Sequence, residues 1–434
     1  MILFTERISS RLTYFAEFLS GECLEQGLVI TSDKEQYLAS TEPRINYSPH
    51  KLTDKEIHII PEGLLFEKNI RSRAILCEDW QGMPGFFFTG GDIPFDLFSA
   101  AFYLLSRYEE YLPYEKDEYG RYGHLNSIAF KNEFLHRPLI NEWLMAFKEK
   151  VLQLFPGYTF RLKAFDLLPT YDIDIAYSYK GKGWARNGVA LMRSLLKGDG
   201  KAFNERRAVL EGKAVDPYDC YDWLDELHLA TEYPAIYFFH VGQRRGIYDK
   251  NIHPGQPVLQ QLIKRTVPHF PVGIHPSWRS GDEENLLEKE IQILSGIAGN
   301  PVTISRFHYI RFHLPVSYRR LIALGIRHDH SMGYGSINGF RASVASPFYW
   351  YDLEREERTS LLIYPFCYME ANSYFEQNQN AEQAYAEMMG YAKKVREVKG
   401  MMITIWHNHF LGESAFKGEW RKIYAQFLHH QHAL

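Results

Sequence analysis

The sequence lacks an excess of either charge. It carries 49 Lys and Arg against 53 Asp and Glu, a formal net charge of -4. That balance gives no basic footprint for nucleic acid and no acidic tail. Cysteine is scarce. Cys23, Cys77, Cys220 and Cys367 stand far apart with no CxxC pair, which argues against a disulfide frame or a zinc knuckle and for buried, reduced thiols. No run of about 18 apolar residues occurs, so no membrane span is expected. The opening stretch MILFTERISSRLTYFAEFLSG has Glu6 and Arg7 where a signal peptide needs an apolar core. These absences point to a soluble, cytoplasmic protein and leave the oligomeric state open. No Gly-x-Ser-x-Gly is present, so nothing supports a serine esterase. GKGWARNG lacks the Gly-Lys-(Ser/Thr) ending of a P-loop and reads as a flexible basic turn.

What is present is length and aromatic content. A chain of 434 residues exceeds one ordinary core, so two domains are expected. Aromatics reach 15%, from large cores or from stacking surfaces for sugars. Residues 1–155 read as a smaller α/β or α+β domain of unknown role. RISSRLTYFAEFL has helical spacing, and KEIHIIP and RAILCED look like short strands. A glycine-rich turn then leads into an apolar helix near Pro94, with Asp92 as its cap. Arg107, Glu109, Glu110 and Asp117 read as a solvated helix end.

Residues 156–434 change pattern. Short apolar runs at 166–177, 235–242, 270–276, 302–310, 324–330, 360–368 and 401–409 alternate with helical stretches such as YDWLDELHLATEY and GQPVLQQLIKRTV. Seven strands with helices between most pairs predict a parallel sheet closed, or nearly closed, into a distorted seven-stranded (β/α) barrel. The interruptions at 177–217 and 331–358 are long enough to shape a cleft or to order helices of their own.

The first of these strands, TYDIDIAY (170–177), poses a problem. In a strand Asp172 and Asp174 share one face. Burying two unpaired carboxylates side by side is costly. Either the strand has a wet surface face, or its end opens into a polar cleft where a cation or an arginine keeps the pair ionised. Other predicted strands also end in residues that an apolar core would not choose: His240, His275, Arg306 with His308, Asp329, and His407 with His409. In (β/α) barrels the C-terminal strand ends form the active site.

These residues resemble the polysaccharide deacetylase family, carbohydrate esterase family four, over roughly residues 165–412. TYDID is similar to its first motif, AIYFFHVG to its second strand, PVGIHPSW to its second motif, SRFHYIRF to its third and ITIWHNH to its closing motif. The resemblance implies a divalent-metal hydrolase, with zinc the expected ion, that deacetylates a carbohydrate at N or O. The implied metal ligands are Asp174 and His275. The usual second histidine is replaced here by Arg279, which cannot ligate, and His308 is the expected substitute, with loss of the metal or recruitment of His240 as alternatives. The implied roles are Asp172 as general base paired with Arg306, the backbone N–H of Tyr309 at the oxyanion, and His407 as general acid, oriented by Asp329. Arg279 also keeps open an inactive, deacetylase-like barrel that binds glycan or a protein partner. A metal amidohydrolase acting on a non-sugar amide is the third reading.

Simpler explanations cover the remaining candidates. His409 reads as a surface histidine, His328 and His330 as parts of a polar loop, and His429, His430 and His432 as a solvated terminal helix. Trp278, Tyr334, Phe348, Tyr349 and Trp350 read as core filling before sugar stacking.

Overall fold

The computed structural model describes residues 1–413 and 415–434. The chain opens with β1 (Ile2–Thr5), four residues buried on both faces. It pairs in parallel with β2 (Val29–Thr31) and β3 (Arg44–Tyr47), and β3 pairs with β4 (Ile57–Ile59). RISSRLTYFAEFL supplies the helix Ser10–Cys23, whose first turn is capped by the Ser9 hydroxyl accepting from the Leu12 N–H at 3.1 Å. Of RAILCED only Glu78 and Asp79 enter a strand: β5 (Glu78–Trp80) forms a hairpin with β6 (Met83–Gly85).

The apolar helix begins later than its sequence suggests, at Leu97–Leu105, and Asp96 caps it in place of Asp92. Phe88 bridges to Phe95, which keeps the chain extended past Pro94. Asp96 accepts from the Ser99 N–H at 3.0 Å and from the Tyr47 hydroxyl at 2.8 Å. Asp92 instead accepts from the His58 N–H at 2.8 Å.

The second part is mixed α/β. All seven expected stretches carry strands: β7 (Asp166–Ile173), β8 (Ile236–Phe239), β9 (Val272–Ile274), β10 (Ile304–Ser305), β11 (His328–Asp329), β13 (Glu357–Ile363) and β15 (Met401–His407). Two further strands, β12 (Phe348–Asp352) and β14 (Tyr368–Met369), complete a nine-stranded sheet in the order β12-β13-β11-β10-β9-β8-β7-β15-β14. Every pairing is parallel except β12 with β13. The stretch 357–369 pairs with β11 through its first half and with β15 through its last two residues. GKGWARNG is not a flexible turn, because its Trp184 opens the helix Trp184–Leu196, followed by a second helix, Gly200–Leu210. Cys23, Cys220 and Cys367 are buried and all four thiols are free. No helix among the described residues is long and apolar enough to cross a membrane.

One continuous apolar core runs from Met1 to Leu428, so the first 155 residues and the parallel ladder share it. Buried charge crosses the same junction. Arg107, Glu109 and Glu110 are not a solvated helix end; all three are buried. Glu110 accepts from Arg107 Nε at 2.7 Å and from Arg341 Nε and Nη2 at 2.8 and 2.6 Å. Arg341 lies 231 residues away, which is why the cluster looks solvated in the linear sequence. Burial opposes ionisation of Glu110, but the two guanidiniums outweigh it and hold its carboxyl below the usual carboxylate range. Glu110→Ala would leave Arg107 and Arg341 underpaired and is expected to cost about 3–5 kcal/mol, read from the midpoint of urea unfolding. The carboxylate's contribution is complete above its ordinary pKa and is lost as pH falls through its lower folded-state value. The gap between wild type and Glu110→Gln should therefore narrow in acid. A gap that is constant with pH would refute this account.

Candidate functional site

Ladder register gathers the ionisable residues. Asp172 on β7 pairs with His407 on β15, and Ser305 on β10 with Ile274 on β9. Asp174, His275 and Arg306 follow directly after the last residues of β7, β9 and β10. Glu370 follows β14. All therefore sit at carboxyl ends of parallel strands, and Asp172, Asp174, His275 and His407, with His308 and Tyr309, line a cavity of about 590 Å³.

Asp172 is buried and accepts from Arg306 Nη1 at 2.8 Å. Arg306 Nε donates to the His330 carbonyl at 3.0 Å and its guanidinium lies 4.2 Å from the Phe238 ring centroid. This answers the problem of the paired acids for Asp172: a fixed guanidinium neutralises it.

Asp174 meets three imidazoles. His275 Nε2 lies 3.1 Å from its Oδ1, and His308 Nε2 and His407 Nε2 lie 3.5 and 3.6 Å from its Oδ2. The far nitrogen of each ring has its own acceptor. His275 Nδ1 is 2.6 Å from the Arg306 carbonyl, His308 Nδ1 is 3.2 Å from Asp249 Oδ1, and His407 Nδ1 is 2.7 Å from Glu370 Oε1. A carbonyl can only accept, so His275 donates from Nδ1, which leaves its Nε2 as the atom turned toward Asp174. Asp174 Oδ1 is buried and has no hydrogen-bond partner. The ligand atoms offered by Asp174, His275 and His308 all lie within 4.8 Å of one another, and so do those of His240, Asp249 and His308. One carboxylate oxygen and two imidazole nitrogens, with the far nitrogens held by acceptors, suit a divalent cation of the zinc type.

In the absence of a cation, protons answer the charge. Burial opposes protonation of His308, but Asp174 and Asp249 push it up to about 9. Burial likewise opposes protonation of His407, which Glu370 and Asp174 push up to about 10. Asp174 is held well below the usual carboxylate range: burial opposes ionisation, but His308 and His407 outweigh it.

The other sequence candidates fall as follows. The carboxylate on His407 is Glu370, not Asp329. Asp329 accepts from the Ser305 and Ser331 hydroxyls at 2.8 and 2.9 Å, and burial raises its carboxyl. Tyr309 lines the cavity with φ of 58°, and its carbonyl accepts from Arg121 Nη1 at 2.7 Å. Arg279 is exposed and forked onto Glu283 Oε1 at 3.0 and 2.6 Å. His240 Nδ1 donates to the His275 carbonyl, 3.2 Å away, and burial lowers it to about 4. His409 is not a surface residue; it lines the cavity, and burial and the charge of His407 lower it to about 3. His330 is buried and stacked on Tyr364 at 4.5 Å. Tyr334, Phe348 and Trp350 fill the core.

Residues 1–155 supply Glu118, Tyr119 and Arg121 to the cavity wall. Tyr119, Tyr248 and Tyr309 give it aromatic faces, and Trp278 stacks on Tyr248 at 3.9 Å. Glu370, Asp249 and Tyr119 escaped the sequence reading because none falls in a recognisable run; a carboxylate two residues after an expected strand end was the one available signal for Glu370.

Comparison with known proteins adds the following. Residues 1–156 match DUF7033, a family of unknown function. No curated protein matches the chain. Among solved structures, it is similar to a probable polysaccharide deacetylase from Pseudomonas aeruginosa PAO1, at 12% identity and TM-score 0.39, over 62% of this chain and 85% of that one. It is also similar to the Puue allantoinase, at 12% identity and TM-score 0.38, over 62% and 84%. The likeness is one of fold.

The Asp172–Arg306 pair gives a test independent of any activity. Arg306→Met strands a buried carboxylate and is expected to cost about 3–5 kcal/mol, measured by urea unfolding. Adding Asp172→Asn should recover much of that loss, because the two residues are in contact. Additive losses would show that the pair is not coupled.

Proposed function

We propose that the chain is a metal-dependent hydrolase that removes acetyl groups from a carbohydrate, at N or at O. We read its second part as a distorted seven-stranded barrel, with the stretch 357–369 joining the two ends of the ladder, and its first 155 residues as a domain that walls one side of the cleft. The observation that carries the reading is the convergence of the Asp174 carboxylate with Nε2 of His275 and Nε2 of His308 at the mouth of the parallel ladder.

Asp174, His275 and His308 would hold a divalent cation, zinc by the character of the donors. When bound, it supplies Lewis acidity toward a carbonyl oxygen and toward water. Every other part belongs to the chain. Asp172 accepts a proton from water in the cleft, with Arg306 Nη1 donating to its Oδ1. The Tyr309 backbone N–H donates to the oxygen that gains charge as the acetyl carbon becomes tetrahedral. His407, held by Glu370 through Nδ1, delivers the Nε2 proton to the departing amine or hydroxyl. Its raised pKa keeps that proton in place at neutral pH. The tyrosine faces of the wall suit a sugar ring. Arg279 argues for loss of function only if it occupies the ligand position, and its guanidinium is engaged with Glu283 at the surface instead.

Metal analysis of the purified protein and zinc titration of the dialysed protein test the ligand set. One equivalent is expected, and Asp174→Asn should abolish both binding and acetate release from N- or O-acetylated sugars. Metal retained by Asp174→Asn would overturn the assignment. His407→Ala should keep the metal and lose about a hundredfold or more in turnover. Loss of metal in that variant would make His407 a ligand instead.

A further inference from the structure

The segment between β7 and the helix Tyr221–Thr231 has no part in the scheme above. Its helices Trp184–Leu196 and Gly200–Leu210 pack on each other. Its two ends are tied by one carboxylate: Asp216 accepts from the N–H groups of Ser178, Tyr179 and Lys180 at 2.7, 2.7 and 3.0 Å. At 3.6 residues per turn, Trp184, Val189, Met192, Leu195 and Leu196 fall on one helix face about 140° wide. That face points to solvent. Trp184 is 90% exposed, Leu196 83% and Met192 60%. The face turned inward carries Asn187, which is buried, and Ala190, Leu191 and Ser194, which are half-buried. Ordinary surface helices are arranged the other way round.

Charge at this helix is one-sided as well. From Lys180 to Gly198 the sequence holds five cations and no acid, in a chain whose net charge is -4. Arg186, Arg193 and Lys197 follow the apolar face along one edge, at about 180–220° on the same wheel. Among the described residues, Lys182, Arg186, Arg193, Lys197 and Arg206 form no ion pair, whereas neighbouring Lys180 and Arg207 do. Lys182, Arg186 and Arg206 crowd a cavity of about 580 Å³ between the helices, and Arg206 Nε there has no hydrogen-bond partner. Burial and the charge of Arg186 lower Lys182 to about 8. These cations call for an anion that the chain does not supply. An exposed apolar face ending in tryptophan and edged by free cations is the pattern of a helix lying in a bilayer interface. A second copy of the chain fits poorly, because it would bring the same unpaired cations to the contact.

We propose that the helical hairpin 177–217 docks the protein on an anionic phospholipid surface, with Trp184, Met192 and Leu196 entering the interface and Arg186, Arg193 and Lys197 meeting headgroup phosphates. This inference is independent of the hydrolase reading. Flotation of the full-length protein with vesicles tests it. The protein is expected to float with phosphatidylcholine vesicles containing phosphatidylglycerol, to stay behind with phosphatidylcholine alone, and to be released by salt. Arg186→Gln and Arg193→Gln should each weaken binding about fivefold, and Trp184→Ser with Leu196→Ser should abolish it. All four side chains are exposed, so thermal unfolding should be unchanged. The proposal fails if wild type floats with neither vesicle, if it floats equally with both, or if the variants float like wild type. It also fails if Trp184→Ser converts a lipid-free dimer to monomer in sedimentation velocity, since the face would then belong to a second copy.

Discussion

An ionised group removed from water must find its opposite, and this requirement organises the molecule. Asp172 meets Arg306, Glu110 meets Arg107 and Arg341, and Arg11 meets Glu356 across 345 residues of sequence. Each pair joins elements that apolar packing alone could let slide. Asp174 is the exception that defines the cleft. No guanidinium or ammonium answers it; three imidazoles do, and imidazole nitrogens can present either a proton or a lone pair. Protons occupy the same nitrogens that a cation would need.

The ladder explains why these groups meet. Parallel strands present all their carboxyl ends on one side, so residues far apart in sequence arrive at one rim without long loops to carry them. Backbone carbonyls and carboxylates behind each ring then fix which nitrogen faces inward. Asp249 does this for His308 and also accepts from the Trp278 N–H at 3.0 Å, which binds the loops after β8, β9 and β10 to one another. Arg121 carries the same logic outward. It is pinned to Asp117 and reaches the Tyr309 carbonyl, so residues of the first 155 help hold the loop after β10.

Much of this was legible in the linear sequence, for a definite reason. Strands rich in β-branched and aromatic residues announce themselves, and an acid or histidine at their ends is conspicuous. Asp172, Asp174, His275, Arg306, His308 and His407 were all found in that way. What was not legible depends on partners brought in from elsewhere. Glu370 lies 37 residues from His407 and Arg341 lies 231 from Glu110, so the sequence suggested Asp329 for the first and solvent for the second. Asp329 does end a strand at the rim, but Ser305 and Ser331 satisfy it there. The helix beginning at Trp184 was hidden by its glycines, which suggest a turn when read without the pin at Asp216.

That pin has an evolutionary side. Because Asp216 fastens the entry and exit of the 177–217 hairpin to each other, the rest of the fold meets the whole insert as a short loop. A segment attached in this manner can be gained, exchanged or deleted as a cassette while β7 and its two aspartates keep their places.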